Sequence, residues 1–170
     1  MATFGKTSDG ASTTASTTDN KVVSAGTPAS SGTVASMTCR LWLSGAQTTE
    51  WRGVIYSDDG GALTTNSTLL AVTDDGSFSD TAETAQTLNF TGGNAISVTA
   101  SQQYWIGFHI AAPGGGVSWT MSRDATADGR KVNGDDVFVG GSASPWGADI
   151  TSLAGPIDCY VTYTDTSIKT

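Results

Sequence analysis

QQYWIGFHIA, residues 102–111, alternates along its whole length. Tyr104, Ile106, Phe108 and Ile110 fall on one face, and Trp105, Gly107 and His109 on the other. Side chains along a strand point alternately to opposite faces, so this run predicts a strand with one strongly apolar side. Pro113 and Gly114-Gly115-Gly116 end it. VSWTM (117–121) follows and is expected to pair with it as a hairpin across the glycine loop. TVASMTCRLWL (33–43) repeats the pattern, with Ala35, Met37, Cys39, Leu41 and Leu43 opposed to Ser36, Thr38, Arg40 and Trp42. IDCYVTYT (157–164) places Ile157, Cys159, Val161 and Tyr163 on one side.

Shorter runs fill the space between: KVVS after Asn20, EWRGVIYS (50–57), TLLAVT (68–73), TLNF (87–90), AISVT (95–99) and DVFV (136–139). Asp58-Asp59-Gly60-Gly61, Asp74-Asp75-Gly76 and Gly92-Gly93-Asn94 separate them, which is the chemistry of turns. Eight to ten short strands and no segment of helical period predict an all-β fold. With one polar face per strand, an antiparallel two-sheet β-sandwich of jelly-roll-like topology fits best. Residues 122–156 read mostly as loop. Residues 1–20 are low in complexity and rich in Ser and Thr, and read as an extended N-terminal arm anchored by Phe4. Residues 21–170 are then expected to form one domain.

The chain has 170 residues, with 8 Lys and Arg against 16 Asp and Glu, a net charge of -8. Only 14% of residues are charged, against about 25% in an average domain, and Ser and Thr fill about a quarter of the chain. Nucleic acid is an unfavourable partner for so acidic a surface, because phosphate binding relies on Lys and Arg. No apolar run is long enough for a membrane-spanning helix. The opening MATFGKTSDG lacks the basic and apolar segments of a secretory signal, so synthesis in a cytoplasm is expected. Cys39 and Cys159 are too few to make a disulfide scaffold. They read as small buried side chains, or as a bridge if the first long strand and the last are neighbours.

No catalytic constellation stands out in the sequence. The single histidine, His109, lies within a strong strand, and no serine sits in a G-x-S-x-G elbow. Glu50 and Glu83 are the only glutamates. The aspartates gather in turns, as at Asp58-Asp59, Asp74-Asp75 and Asp135-Asp136, where local backbone bonding accounts for them. Asp124 to Asp128 superficially resembles a calcium loop but lacks its alternating ligands and terminal glutamate, and Arg123, Arg130 and Lys131 are placed to neutralise it. No enzyme activity, metal or cofactor is expected. The five tryptophans carry more information. Trp42 and Trp105 lie opposite the apolar faces of their strands, and Trp146 follows Pro145 in a loop. Each is either covered by a loop such as 122–156 or available to a protein or a sugar.

Five segments together carry a resemblance: TFGKTSDGASTTASTTDNKVVSAGTPASSGTV, RGVIYSDDGGAL, QQYWIGFH, WTMSRDATADGR and GPIDCYVTY. They are similar to small β-sandwich virion proteins of tailed bacteriophages, particularly phages of actinobacteria. The resemblance implies a non-enzymatic structural or adhesive role. In one form the protein is a capsid decoration protein, assembled in the host cytoplasm and bound to the major capsid protein on the virion surface. It would act there as a trimer or other homo-oligomer, with Phe4 of the arm and the outward-facing Trp42, Trp105 and Trp146 as contacts. The alternative is a tail-associated or lectin-like module, in which Trp42, Trp105 or Trp146 stacks on host glycans.

Overall fold

Inward-facing Val, Ile, Leu and aromatic residues set the strands of this protein, and Gly and Asp pairs end them. The computed structural model describes residues 1–125, 129–134, 137–142, 144–147 and 151–166. Among them the strands are β1 (Ala2–Gly5), β2 (Ser12–Ser16), β3 (Asn20–Gly26), β4 (Gly32–Leu43), β5 (Thr49–Ser57), β6 (Leu69–Val72) and β7 (Gly76–Phe78). There follow β8 (Thr84–Asn89), β9 (Ser97–Val98), β10 (Tyr104–Ile110), β11 (Trp119–Arg123), β12 (Arg130–Asn133), β13 (Thr151–Leu153) and β14 (Cys159–Asp165). All strand pairs are antiparallel.

The first sheet is built on β4. On one side of β4 lie β8 and β9. On the other side β14 and β11 lie end to end, pairing with Gly32–Cys39 and Leu41–Leu43 respectively. Outside these, β1 pairs with β14 and β2 with β11, so residues 2–16 run along one edge. The second sheet runs β13-β12-β3-β10-β5-β6, with β7 also on β5. The two sheets face each other in a sandwich of jelly-roll-like topology. Met37, Leu41, Leu43, Val161 and Tyr163 from the first meet Val22, Trp51, Ile55, Ile106 and Phe108 from the second. The faces expected of β10 and β14 point into this core, and so does that of β4 from Met37 onward; at its start a bulge opposite Thr162 and Tyr163 puts Val34 in the core in place of the expected Ala35.

Three expectations from the sequence change. VSWTM does not form a hairpin with QQYWIGFHIA. Both edges of β10 are taken by β3 and β5, and β11 lies in the opposite sheet. The glycine loop crosses the sandwich, and Phe108 and Trp119 meet edge to face across the core at 5.7 Å. The strand expected at DVFV is also absent: Phe138–Gly140 is a 3-10 turn, and Asp136 lies outside the described residues. Residues 122–156 carry β12 and β13 instead. Finally, the stretch expected as an arm is extended, but β1 and β2 pair with this chain's own strands. Cys39 and Cys159 face each other in the β4–β14 register and form a disulfide, with Cα atoms 4.2 Å apart.

Gly107 shows how tightly β10 is held. A Cβ there would lie 1.9 Å from the carbonyl oxygen of Val22, a backbone atom with no rotamer to move into. Gly107→Ala is expected to cost about 3 kcal/mol, the upper part of the range for overpacking, read from urea unfolding.

Candidate functional site

The two outer faces of the sandwich have opposite characters. On the second sheet, β3, β5 and β10 turn Val23, Val54, Tyr56 and Trp105 outward, yet all are buried. Leu63 and Trp146 lie over them, and Trp146 is fully enclosed. Its ring meets Tyr56 edge to face at 4.9 Å. Its backbone NH donates to the Ser67 carbonyl at 2.8 Å, and its carbonyl accepts from Lys21 Nζ and Asn133 Nδ2, each at 3.1 Å. The buried Lys21 ammonium lies 4.6 Å from the Trp146 ring, close enough for a cation–π contact. Phe138 is pinned the same way: the Arg52 guanidinium lies 4.1 Å over its ring, and its NH donates to Asp19 at 3.0 Å. His109 shares a 3.0 Å hydrogen bond with Ser142 beneath this cover.

The outer face of the first sheet is open. Ser36, Thr38, Arg40 and Trp42 of β4 point outward and, apart from Thr38, keep partial exposure. By register they stand beside Asn89, Thr87 and Ala85 of β8, Tyr160 and Thr162 of β14, and Thr120 of β11. Thr38 and Thr87 share a 2.8 Å hydroxyl hydrogen bond, a polar rung across the sheet. Arg40 is ion-paired with Asp9 and, at 3.6 Å, with Glu83, so its positive charge is more than offset. The result is an open surface of mostly Ser, Thr, Ala and Asn side chains around Arg40, Tyr160 and one indole.

The residues singled out by sequence are thus divided. Trp42 lies on the open face. Trp105 is enclosed, its indole NH donating to Asp58 at 3.0 Å, and Trp146 is the lid above it. Phe4 is buried between the sheets, 5.7 Å from Tyr163 and 6.0 Å from Tyr104. Behind it Lys6 ties down the N-terminal stretch. Its NH donates to the Cys159 carbonyl, and its ammonium meets Asp158 at 3.0 Å and Asp124 at 3.3 Å. Gly10 donates its NH to the same Asp158. Burial alone would lower the Lys6 pKa, but hydrogen bonds and charge from Asp158, then Asp124, outweigh it and raise the group above 10.5.

Asp124 is therefore neutralised by Lys6 and not by the arginines beside it; Asp128 lies outside the described residues. Arg123 and Arg130 turn into the space between the sheets. Arg123 donates to Thr14 Oγ1 at 2.6 Å and to the Asp124 carbonyl at 2.8 Å. Arg130 is buried and donates through Nη1 to the Ala154 carbonyl, while its Nε has no partner among the described residues. It lines a half-enclosed cavity of about 190 Å³ between β2 and the β12–β13 edge. Burial, then the charge of Arg123, lowers its pKa to about 10, so it stays a cation at neutral pH. Sequence reading missed this cleft because RKVN is too short for its alternation to show.

Among the described residues no three His, Cys, Asp or Glu side chains gather to hold a metal. Fold and site together define a jelly-roll-like sandwich with one sealed face, one open face and no catalytic array among the described residues. No family model matches the chain, and no curated protein matches it. Among solved structures, that of infectious bursal disease virus Gt strain is similar at 11% identity and a TM-score of 0.41, over 98% of this chain and 36% of that one. The Gx strain structure is similar at 10% identity and a TM-score of 0.37, over 95% and 40%. This chain spans less than half the length of either, and neither value carries a functional argument.

Two outcomes follow from the placement of these groups. Trp146→Ala is expected to cost about 3–5 kcal/mol in urea unfolding, as for an enclosed aromatic, whereas Trp42→Ala costs about 1 kcal/mol or less. The Lys6 contribution is present below 10.5, its unfolded value, and is lost as pH rises through its raised folded value. The stability gap between wild type and Lys6→Met should therefore persist at neutral pH and close above 10.5; a gap that stays constant would refute the pairing.

Proposed function

We propose that this protein is a non-enzymatic virion structural protein that docks through the open face of its first sheet, as a decoration protein on the major capsid protein of a phage head. The observation that carries the reading is the asymmetry of the sandwich. One outer face is closed by the chain's own tryptophan lid, and the other is left open and rich in Ser and Thr around Trp42, with Arg40 held in ion pairs. Short side chains lose little rotamer freedom on docking, so such a face suits a rigid, repeated contact. A ligand that binds only the assembled shell stabilises that shell by mass action. The acidic chain suits an outer position, away from packaged nucleic acid. The resemblance of the sequence to phage virion sandwiches gives the setting. Homo-oligomers would form through the same edge that β1 and β2 now occupy, by exchange of residues 2–16 between copies.

The test is the location of the protein in purified particles, tail-less heads included. Occupancy on heads is expected, with about a tenfold loss of affinity for Trp42→Ala at unchanged folding, equivalent to about 1.4 kcal/mol. Absence from heads removes the decoration reading. A second reading, a lectin-like module on the tail, rests on Trp42 alone, because Trp105 and Trp146 are enclosed. Trp42 lies on the same face as the Arg40–Asp9–Glu83 cluster, a pairing of indole and polar groups able to hold a sugar ring. Saccharide binding lost in Trp42→Ala, together with absence from heads, would favour it.

A further inference from the structure

The cleft at Arg130 has no part in the docking face. Val22, Trp119, Met121, Val132 and Leu153 give it an apolar side, and Thr14, Ser16 and Asn20 add polar groups to its lining. Its polar end is a buried guanidinium whose Nε has no partner among the described residues. Arg123, a second cation, turns into the same inter-sheet space, and no described carboxylate is ion-paired with either guanidinium. Leaving a buried donor without an acceptor is costly, and leaving a buried charge without a counter-charge more so. A cavity of about 150 Å³ accepts benzene, so the 190 Å³ here suits a body of similar size.

We propose that this cleft binds a small organic monocarboxylate with a compact apolar body, its carboxylate on Arg130 and its body against Trp119, Met121 and Leu153. Charge complementarity selects the acid, and the apolar side formed by Trp119, Met121 and Leu153 favours an organic body over a small hydrated anion. A planar guanidinium is suited to carboxylate, and the bond is strengthened by the low dielectric of the site. Binding would bridge the β2 edge of one sheet to the β13 edge of the other, and so stabilise the open side of the sandwich.

Titration calorimetry of the intact protein tests this with benzoate, hexanoate, benzyl alcohol and inorganic phosphate, while the Trp119 indole signal is followed by NMR. Benzoate or hexanoate should bind at about 1 mM or tighter, and at least about tenfold better than benzyl alcohol. The Trp119 signal should shift with the same midpoint. Phosphate should not bind. Arg130→Met should abolish carboxylate binding while folding at least as stably as wild type, because it removes a buried charge. Leu153→Trp, which fills the cavity and keeps the arginine, should abolish it as well. Equal binding of benzyl alcohol, binding of phosphate, no saturation by either acid, or retained affinity in both variants would each overturn the proposal.

Discussion

The two-residue period of β4 is the constraint on which the rest depends. Its inward row, Met37, Cys39, Leu41 and Leu43, is enclosed in the core, and its outward row, Ser36, Thr38, Arg40 and Trp42, forms the open face. A slip of one residue would exchange the two rows, placing Arg40 in the core and the leucines in water. Register is therefore fixed by burial, and the Cys39–Cys159 bridge lies in that same register. Because β4 has neighbours on both sides along most of its length, its register passes to β8, β11 and β14, and through them to β1 and β2.

The second sheet solves a different problem. β10 is apolar on both faces, since Trp105 and Gly107 oppose the core row. A strand of that kind must be covered twice. The cover comes from the turns after β5 and from residues 144–147, with Trp146 as its centre. The cover is also polar in its backbone, and Lys21, Asn133 and Ser67 bond to the main chain of Trp146. Burial of an ammonium is tolerable there because indole and phenol rings face it as well as oxygen acceptors.

How much of this was legible in the sequence follows from the range of each interaction. Alternation is local, so β4, β10 and β14 could be read from their own residues, and Asp58 in its turn accepts the Gly61 NH as such turns do. Pairing is not local. VSWTM looked like the partner of β10 because it came next, while β3 and β5 already filled both edges. Trp105 signalled that something covers it, but nothing near Trp146 indicated that it would be the lid. Residues 1–20 gave no pattern beyond Ser and Thr. Their placement depends on Phe4, Lys6 and Gly10 finding β14 and Asp158, far along the chain. Trp42 is the one proposed contact that its own strand placed on the open face.

The end-to-end arrangement of β1 and β2 along one edge has a kinetic consequence. β1 can pair only once β14 exists, and β14 itself fills the gap beside β4. During synthesis the first sheet therefore stays unfinished, with β4 unpaired on one side over most of its length, until β14 has emerged. Loop closure over such separations is slow, and an unpaired edge in that interval is exposed to neighbouring chains. β1, which precedes every other strand in the sequence, is thus among the last to settle. That order leaves an interval in which the edge can accept either its own β1 or the same strand of another copy.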